Sequence, residues 1–284
     1  MKIKHLFSSF LLSAVLATNA LAQDVYQHIR NATAKLTYAG ETFLIDPMLA
    51  KKGTYEGFEG TLNSQKRNPL IELPMPAEDV FKGVSAVVVT HTHLDHWDPV
   101  AQQILPKNLP IIVQNQADAK LIKDQGFKDV RVLDESLKIG KVTLHKTGGA
   151  HGTPEMYAVA PLGKLSGDAM GVVFTAKDHK TLYILGDTLW TADVNKALIN
   201  YNPDVLVMNT GDARVNAFPN NGIIMSKEDV AHAYQAVPNA KIIAVHMDSV
   251  NHTAVSRKDL REFIAKEKLT DRVSVPNDGE NIAF

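Results

Sequence analysis

The stretch Thr90 to Asp98 reads THTHLDHWD and places His91, His93, Asp95 and His96 within six positions. Imidazole and carboxylate groups are the ligands that suit zinc, iron or manganese. On an extended backbone alternate side chains share a face, so His91 and His93 can reach one ion. The chain then turns toward a helix and can present Asp95 and His96 to a second. Three more residues fit the same chemistry: His151 after VTLHKTGGA, Asp187 at the end of TLYILGD and His246 at the end of KIIAVH. Two adjacent divalent ions can lower the pKa of a bridging water from 15.7 to about 7, which provides a hydroxide nucleophile at neutral pH. The same ions polarise the oxygen on which negative charge develops. Such a centre can cleave an ester, lactone, amide or phosphodiester.

These residues need a scaffold that brings strand ends together. Short apolar runs recur along the chain, among them AKLTYAG, TFLIDP, VSAVVVT, PIIVQN, GVVFT, TLYILGD, DVLVMN and KIIAVH. Many are too continuously apolar to face water on either side, so they read as strands covered on both faces. Helical patterns lie between several of them, at Asp98 to Leu105, Gln116 to Gln125, Thr191 to Asn200, Lys227 to Ala236 and Arg257 to Lys266. The result is an α/β protein with helices layered on sheet. His151, Asp187 and His246 each fall just past the carboxyl end of a strand, where connecting loops converge on one edge. The segment Met48 to Asp79 is rich in Gly and Pro, has no clear periodicity, and is expected to be a flap over the metal site.

Charge is balanced, with 30 Lys and Arg against 31 Asp and Glu, so a nucleic-acid partner is not expected. With no cysteine, the chain has no thiolate ligand, cysteine nucleophile or disulfide. Lys2 and Lys4 precede an apolar run from Leu6 to Ala17 and then Ala20-Leu21-Ala22, the pattern of a secretory signal peptide. Residues 1–22 are therefore expected to be removed. The remaining 23–284 would form one periplasmic or secreted domain with no membrane association after cleavage.

The HxHxDH signature, a later His, a Gly-Asp and a final His, in that order, resemble the metallo-β-lactamase superfamily over essentially all of residues 23–284. AKLTYAGETFLIDP and LYILGDT are most similar to the branch of L-ascorbate-6-phosphate lactonase and N-acyl-phosphatidylethanolamine phospholipase D. The resemblance implies a four-layer αββα sandwich and two divalent ions, zinc first, with manganese or iron as alternatives. It assigns His91, His93 and His151 to one metal, Asp95, His96 and His246 to the other, and Asp187 to both. It implies a catalytic role for Asp95 and Asp187, and a role for Asp46 in steadying the ligand loop from behind.

Many members of that branch carry Gly-His where this chain has Asn31-Ala32-Thr33. His252 lies six residues past His246 and is a candidate for binding or protonating a substrate. His145, His179 and His232 are expected to be structural. The expected activity is a binuclear metal-dependent hydrolase of a small molecule, cleaving an ester, lactone or phosphodiester. The alternatives are a zinc β-lactamase-like amide hydrolase and a non-catalytic periplasmic metal-binding protein.

Overall fold

The computed structural model describes residues 23–284; residues 1–22, expected from the sequence to be a signal peptide, lie outside them. Six strands form the first part of the chain: β1 (Val25–Arg30), β2 (Thr33–Tyr38), β3 (Glu41–Ile45), β4 (Ala86–Val89), β5 (Ile111–Val113) and β6 (Val130–Val132). Seven follow: β7 (Ser136–Ile139), β8 (Val142–Thr147), β9 (Gly171–Thr175), β10 (Leu182–Ile184), β11 (Val205–Asn209), β12 (Lys241–Val245) and β13 (Val273–Ser274). The last strand is β14 (Asn281–Ala283). One sheet runs β14-β1-β2-β3-β4-β5-β6 and the other β13-β12-β11-β10-β9-β8-β7. Both are mixed, with antiparallel pairs on one side and parallel pairs such as β3 with β4 and β11 with β12 on the other.

The two sheets stack face to face because their strands are apolar on both sides. In β4, Ala86 and Val88 point into the core between the sheets, while Val87 and Val89 point outward. The outward pair packs with residues of helices α1 (Ala77–Phe81), α2 (Pro99–Ile104) and α3 (Gln116–Asp124). The inner core joins Leu36, Phe43 and Ile45 of one sheet to Leu144, Phe174 and Val207 of the other. Two short helices, α4 (Pro154–Ala158) and α5 (Ala160–Ser166), follow β8. Helices α6 (Ala192–Tyr201), α7 (Lys227–Ala236) and α8 (Arg257–Lys266) cover the second sheet through Val194, Val230 and Leu260. The order helix, sheet, sheet, helix is the αββα sandwich, the metallo-β-lactamase fold.

All eight apolar runs quoted above and all five helical patterns read from the sequence are present, within three residues at their ends. Among the described residues no helix is long and apolar enough to cross a membrane. The segment expected to be a flap is fastened to the body. The buried Arg30 guanidinium donates to the carbonyls of Met48 (2.7 Å), Ala50 (2.9 Å) and Ile71 (3.0 Å). Asn68 and Asn251 bond reciprocally at 2.8 Å, and Asn251 also holds the Thr61 hydroxyl and the Leu62 carbonyl. Phe58 to Thr61 line the cavity, so this part of the segment forms one wall of the site.

Candidate metal centre

Each chemical residue is delivered by a strand end. β4 runs out at Val89, and the next turn closes with the His96 and Trp97 amides donating to the His93 carbonyl at 3.0 and 2.9 Å. Asp98 stops the turn by capping α2, accepting the Ala101 amide at 2.7 Å. After β10, Gly186 adopts a φ of +71°, and a Cβ there would lie 2.5 Å from the Met170 carbonyl oxygen. Only glycine fits, which explains the Gly-Asp step that turns Asp187 toward the site. β12 hands over to His246, which itself adopts a left-handed φ of +67°.

The seven expected ligands converge. His91, His93 and His151 place one nitrogen each within 4.8 Å of one another. Asp95, His96 and His246 form a second such group, and His91, His96 and Asp187 a third between them. The Asp187 Oδ2 atom is the common point, 3.1 Å from His96 Nε2, 3.6 Å from both His151 and His246 Nε2, and 4.0 Å from His91 Nε2. Its Oδ1 atom accepts a 2.6 Å hydrogen bond from Asn209. A single oxygen therefore faces both groups, because the other is occupied.

The donor set fits divalent cations. His91 Nε2 lies 2.9 Å from His93 Nδ1, and His96 Nε2 lies 3.2 Å from His246 Nε2. Imidazole nitrogens that close, buried beside carboxylates, leave lone pairs pointing at common centres, as a metal requires.

Most of these rings are also held from behind. Asp46 accepts from His96 Nδ1 at 2.9 Å and from the Thr90 amide and hydroxyl at 2.7 and 2.8 Å. The orienting role implied for Asp46 is thus built in geometry. His151 Nδ1 donates to the Ile223 carbonyl and His93 Nε2 to the Leu165 carbonyl, both at 2.8 Å.

Burial and charge divide the titrations. Burial pushes His151 down to about 4 and His91 well below its ordinary value. Burial acts on His96 in the same direction, but Asp187, Asp95 and Asp46 outweigh it and hold the ring well above. Burial would raise Asp95 and Asp187, yet His96 and His246 keep both carboxylates well below the usual range.

Of these groups, His93, Asp95, His151 and Asp187 line the floor of a cavity of about 690 Å³. Its walls include Phe58, Leu94, Leu162, Leu165, Val215 and Ile223, and no Lys or Arg lines it. His252 is in the wall, edge-on to Phe58 with ring centroids 4.8 Å apart, and its Nδ1 has no hydrogen-bond partner among the described residues. Burial lowers its pKa to about 4, which favours the neutral ring, with one nitrogen able to accept a hydrogen bond and the other carrying N–H. The three histidines expected to be structural lie elsewhere: His145 bonds Thr175, His179 pairs with Asp24, and His232 packs on Trp190. Asn31, Asn209 and the Leu165 carbonyl were not picked out from the sequence as site groups. Only Asn209 had a positional signal, as the last residue of an apolar strand beside the others.

Two stacked mixed sheets with a His and Asp cluster across their carboxyl edge define a metal-dependent hydrolase architecture. Residues 41–247 match the family model described as a Beta-lactamase superfamily domain. The chain belongs to the metallo-β-lactamase superfamily of metal-dependent hydrolases. It is 43% identical to the UPF0173 protein YddR of Bacillus subtilis, over 90% of this chain and 98% of that one. A solved structure of a possible metal-dependent hydrolase from Veillonella parvula is 56% identical, with a TM-score of 0.91, over 93% of this chain and all of that one. An isothiocyanate hydrolase from Delia radicum gut bacteria is 46% identical, with a TM-score of 0.88, over 92% of this chain and 99% of that one.

Proposed function

We propose that this chain is an exported hydrolase that holds two divalent cations, zinc first, and cleaves small, uncharged, largely apolar electrophiles. The observation that carries the reading is Asp187 Oδ2, shared between two groups of buried imidazoles on the floor of an apolar cavity. His91, His93 and His151 would hold one cation, Asp95, His96 and His246 the other, and Asp187 both. Bound cations supply a nucleophile at neutral pH by acidifying water, and they stabilise charge developing on the substrate. The chain's own residues do the rest. Asn209 and Asp46 keep Asp187 and His96 aimed inward, and Phe58, Leu162, Val215 and Ile223 desolvate the substrate's apolar part. His252, neutral at pH 7, can accept a hydrogen bond from the reacting group.

The cavity wall favours one substrate class over others. A phosphodiester or phosphorylated lactone needs cationic partners for its phosphate, and the lining has none. This weighs against the phosphate-handling branch that the sequence resembles. An isothiocyanate is neutral and carries an apolar tail, and the 46% identical relative of that name supports including this class beside neutral esters and lactones. Water adding to its central carbon, with release of amine and carbonyl sulfide, would be the overall reaction.

The test is a panel of an arylalkyl isothiocyanate, a neutral ester, a lactone, a phosphodiester and a β-lactam, assayed with metal, with chelator and after metal return. Chelator-sensitive turnover of a neutral substrate is expected. Preference for the phosphodiester or β-lactam, or no turnover of anything by the metal-loaded protein, would overturn the reading. Export predicts that the mature chain begins at Gln23; an exported protein whose mass retained residues 1–22 would refute it.

A further inference from the structure

Four of the five imidazoles facing the two cation pockets are supported at the nitrogen turned away from them. His91 Nδ1 meets the Thr90 hydroxyl at 3.2 Å, and His93, His96 and His151 have the partners described above. His246 is the exception. Its Nδ1 is buried and has no hydrogen-bond partner among the described residues.

Outside the candidate ligands, His246 is touched by Asn31, in the turn between β1 and β2. The Asn31 carbonyl accepts the His246 amide at 3.1 Å, and the Asn31 side-chain nitrogen lies 3.2 Å from His246 Nε2. That nitrogen also donates to the Asp95 backbone carbonyl at 3.2 Å and to Asp95 Oδ2 at 3.4 Å. Asn31 is itself anchored, its amide donating to the Ser249 hydroxyl at 3.2 Å. Its Oδ1 is buried and has no hydrogen-bond partner among the described residues. A buried amide oxygen without a donor is costly, and an apolar residue of similar size would avoid that cost. What the amide keeps in exchange is its donor end, aimed at Asp95, while the Asn31 backbone carbonyl holds His246.

We infer that Asn31 is the positioning residue of the second pocket, the group that fixes Asp95 and His246 relative to each other in place of the missing support behind His246. This rests on the two-pocket reading above. The amide carries two hydrogens. One suits the Asp95 carbonyl and the other Asp95 Oδ2, while His246 is held by its backbone amide on the Asn31 carbonyl, which leaves its Nε2 lone pair to a cation. The first pocket, built from His91, His93 and His151, makes no contact with Asn31.

The experiment is a stepwise metal titration of the metal-stripped protein against a competing chelator, using Zn²⁺ and, for its visible spectrum, Co²⁺. Asn31→Gly deletes the amide but accepts the left-handed backbone, φ +58°, and keeps the carbonyl that holds His246. Asn31→Asp keeps shape and backbone preference but has no N–H to donate. Both variants should bind the first equivalent as the wild type does and the second about 10- to 100-fold more weakly, as when a partner behind a ligand is lost. Two wild-type affinities in both variants, loss of both equivalents together, or a tighter second equivalent in Asn31→Asp would overturn the inference. A wild-type protein that binds fewer than two equivalents would instead overturn the two-pocket reading, and this inference with it.

Discussion

Replacing Asp46 by Asn tests how the site chooses a proton position. Asp46 sits at a φ of +43°, which Asn tolerates, so the backbone of the turn after β3 should persist. Its carboxylate now takes three hydrogen bonds, from the Thr90 amide, the Thr90 hydroxyl and His96 Nδ1. An Asn side chain has one oxygen. If that oxygen stays with the Thr90 amide, the Asn NH₂ group faces His96 Nδ1, and two donors meet. The imidazole can relieve this only by moving its proton to Nε2, the nitrogen that lies 3.1 Å from Asp187 and 3.2 Å from His246. A protonated Nε2 is no metal ligand. A hydrogen bond to a charged group is worth about 1.5–3 kcal/mol, so affinity at the pocket that uses His96 should fall roughly 10- to 150-fold. The assay is metal titration of wild type and Asp46→Asn beside ¹⁵N NMR of the His96 ring, which reports the tautomer directly. Unchanged affinity, or a His96 ring still protonated at Nδ1 in the variant, would refute the reasoning.

Asp187→Ala should lower occupancy of at least one pocket together with turnover, whereas Asp187→Asn, which retains an oxygen, should keep one metal and lose most activity; two metals and full turnover in the alanine variant would refute the shared-ligand role. Phe58→Ala should cost about tenfold in kcat/KM on apolar substrates, from loss of roughly 1.5 kcal/mol of burial, with metal content unchanged; steady-state kinetics over substrates of graded apolar size check it, and equal losses on all of them would refute it. The third concerns acid. His252 binds its proton near pH 4 when folded and near 6.5 when unfolded, so between those values the unfolded chain takes up a proton that the folded one refuses, and stability falls as pH falls. Relative to His252→Asn, wild type should lose about 3 kcal/mol of unfolding free energy between pH 7 and pH 4, read from denaturant melts of the metal-stripped proteins. A difference independent of pH would refute it.

Much of this molecule was legible because its signals are local. THTHLDHWD packs four chemical groups and a helix cap into one turn, and β4, β10, β11 and β12 announce themselves by apolar runs that only covered strands sustain. What was illegible depends on partners distant in the chain. β1 and β14 pair across the whole sequence, Val25 with Ala283, and neither has a strong pattern of its own. Asn251 and Asn68 fasten a glycine-rich stretch to the body, and nothing in either residue's neighbourhood forecasts the other. Asn31 was noticed only as a departure from a motif; its use follows from where Asp95 and His246 sit in space. The resemblance assigns Asp187 to both ions without saying which of its oxygens faces them. Asn209, at the end of the neighbouring strand, takes Oδ1 and leaves Oδ2 to face both groups.

The ligands are divided between the sheets: the β4 end supplies four of them, and loops after β8, β10 and β12 supply the other three. On a ribosome, the His91 to His96 cluster emerges while the second sheet is still unmade. At that stage it is a chelating peptide with no say over which cation it meets. His246 is synthesised late, and the strand that seals the edge of the first sheet, β14, comes last of all. On the proposed two-cation reading, acquisition of a matched pair of ions would be a post-translational event, and the pool of metal that counts would be the one surrounding the finished chain.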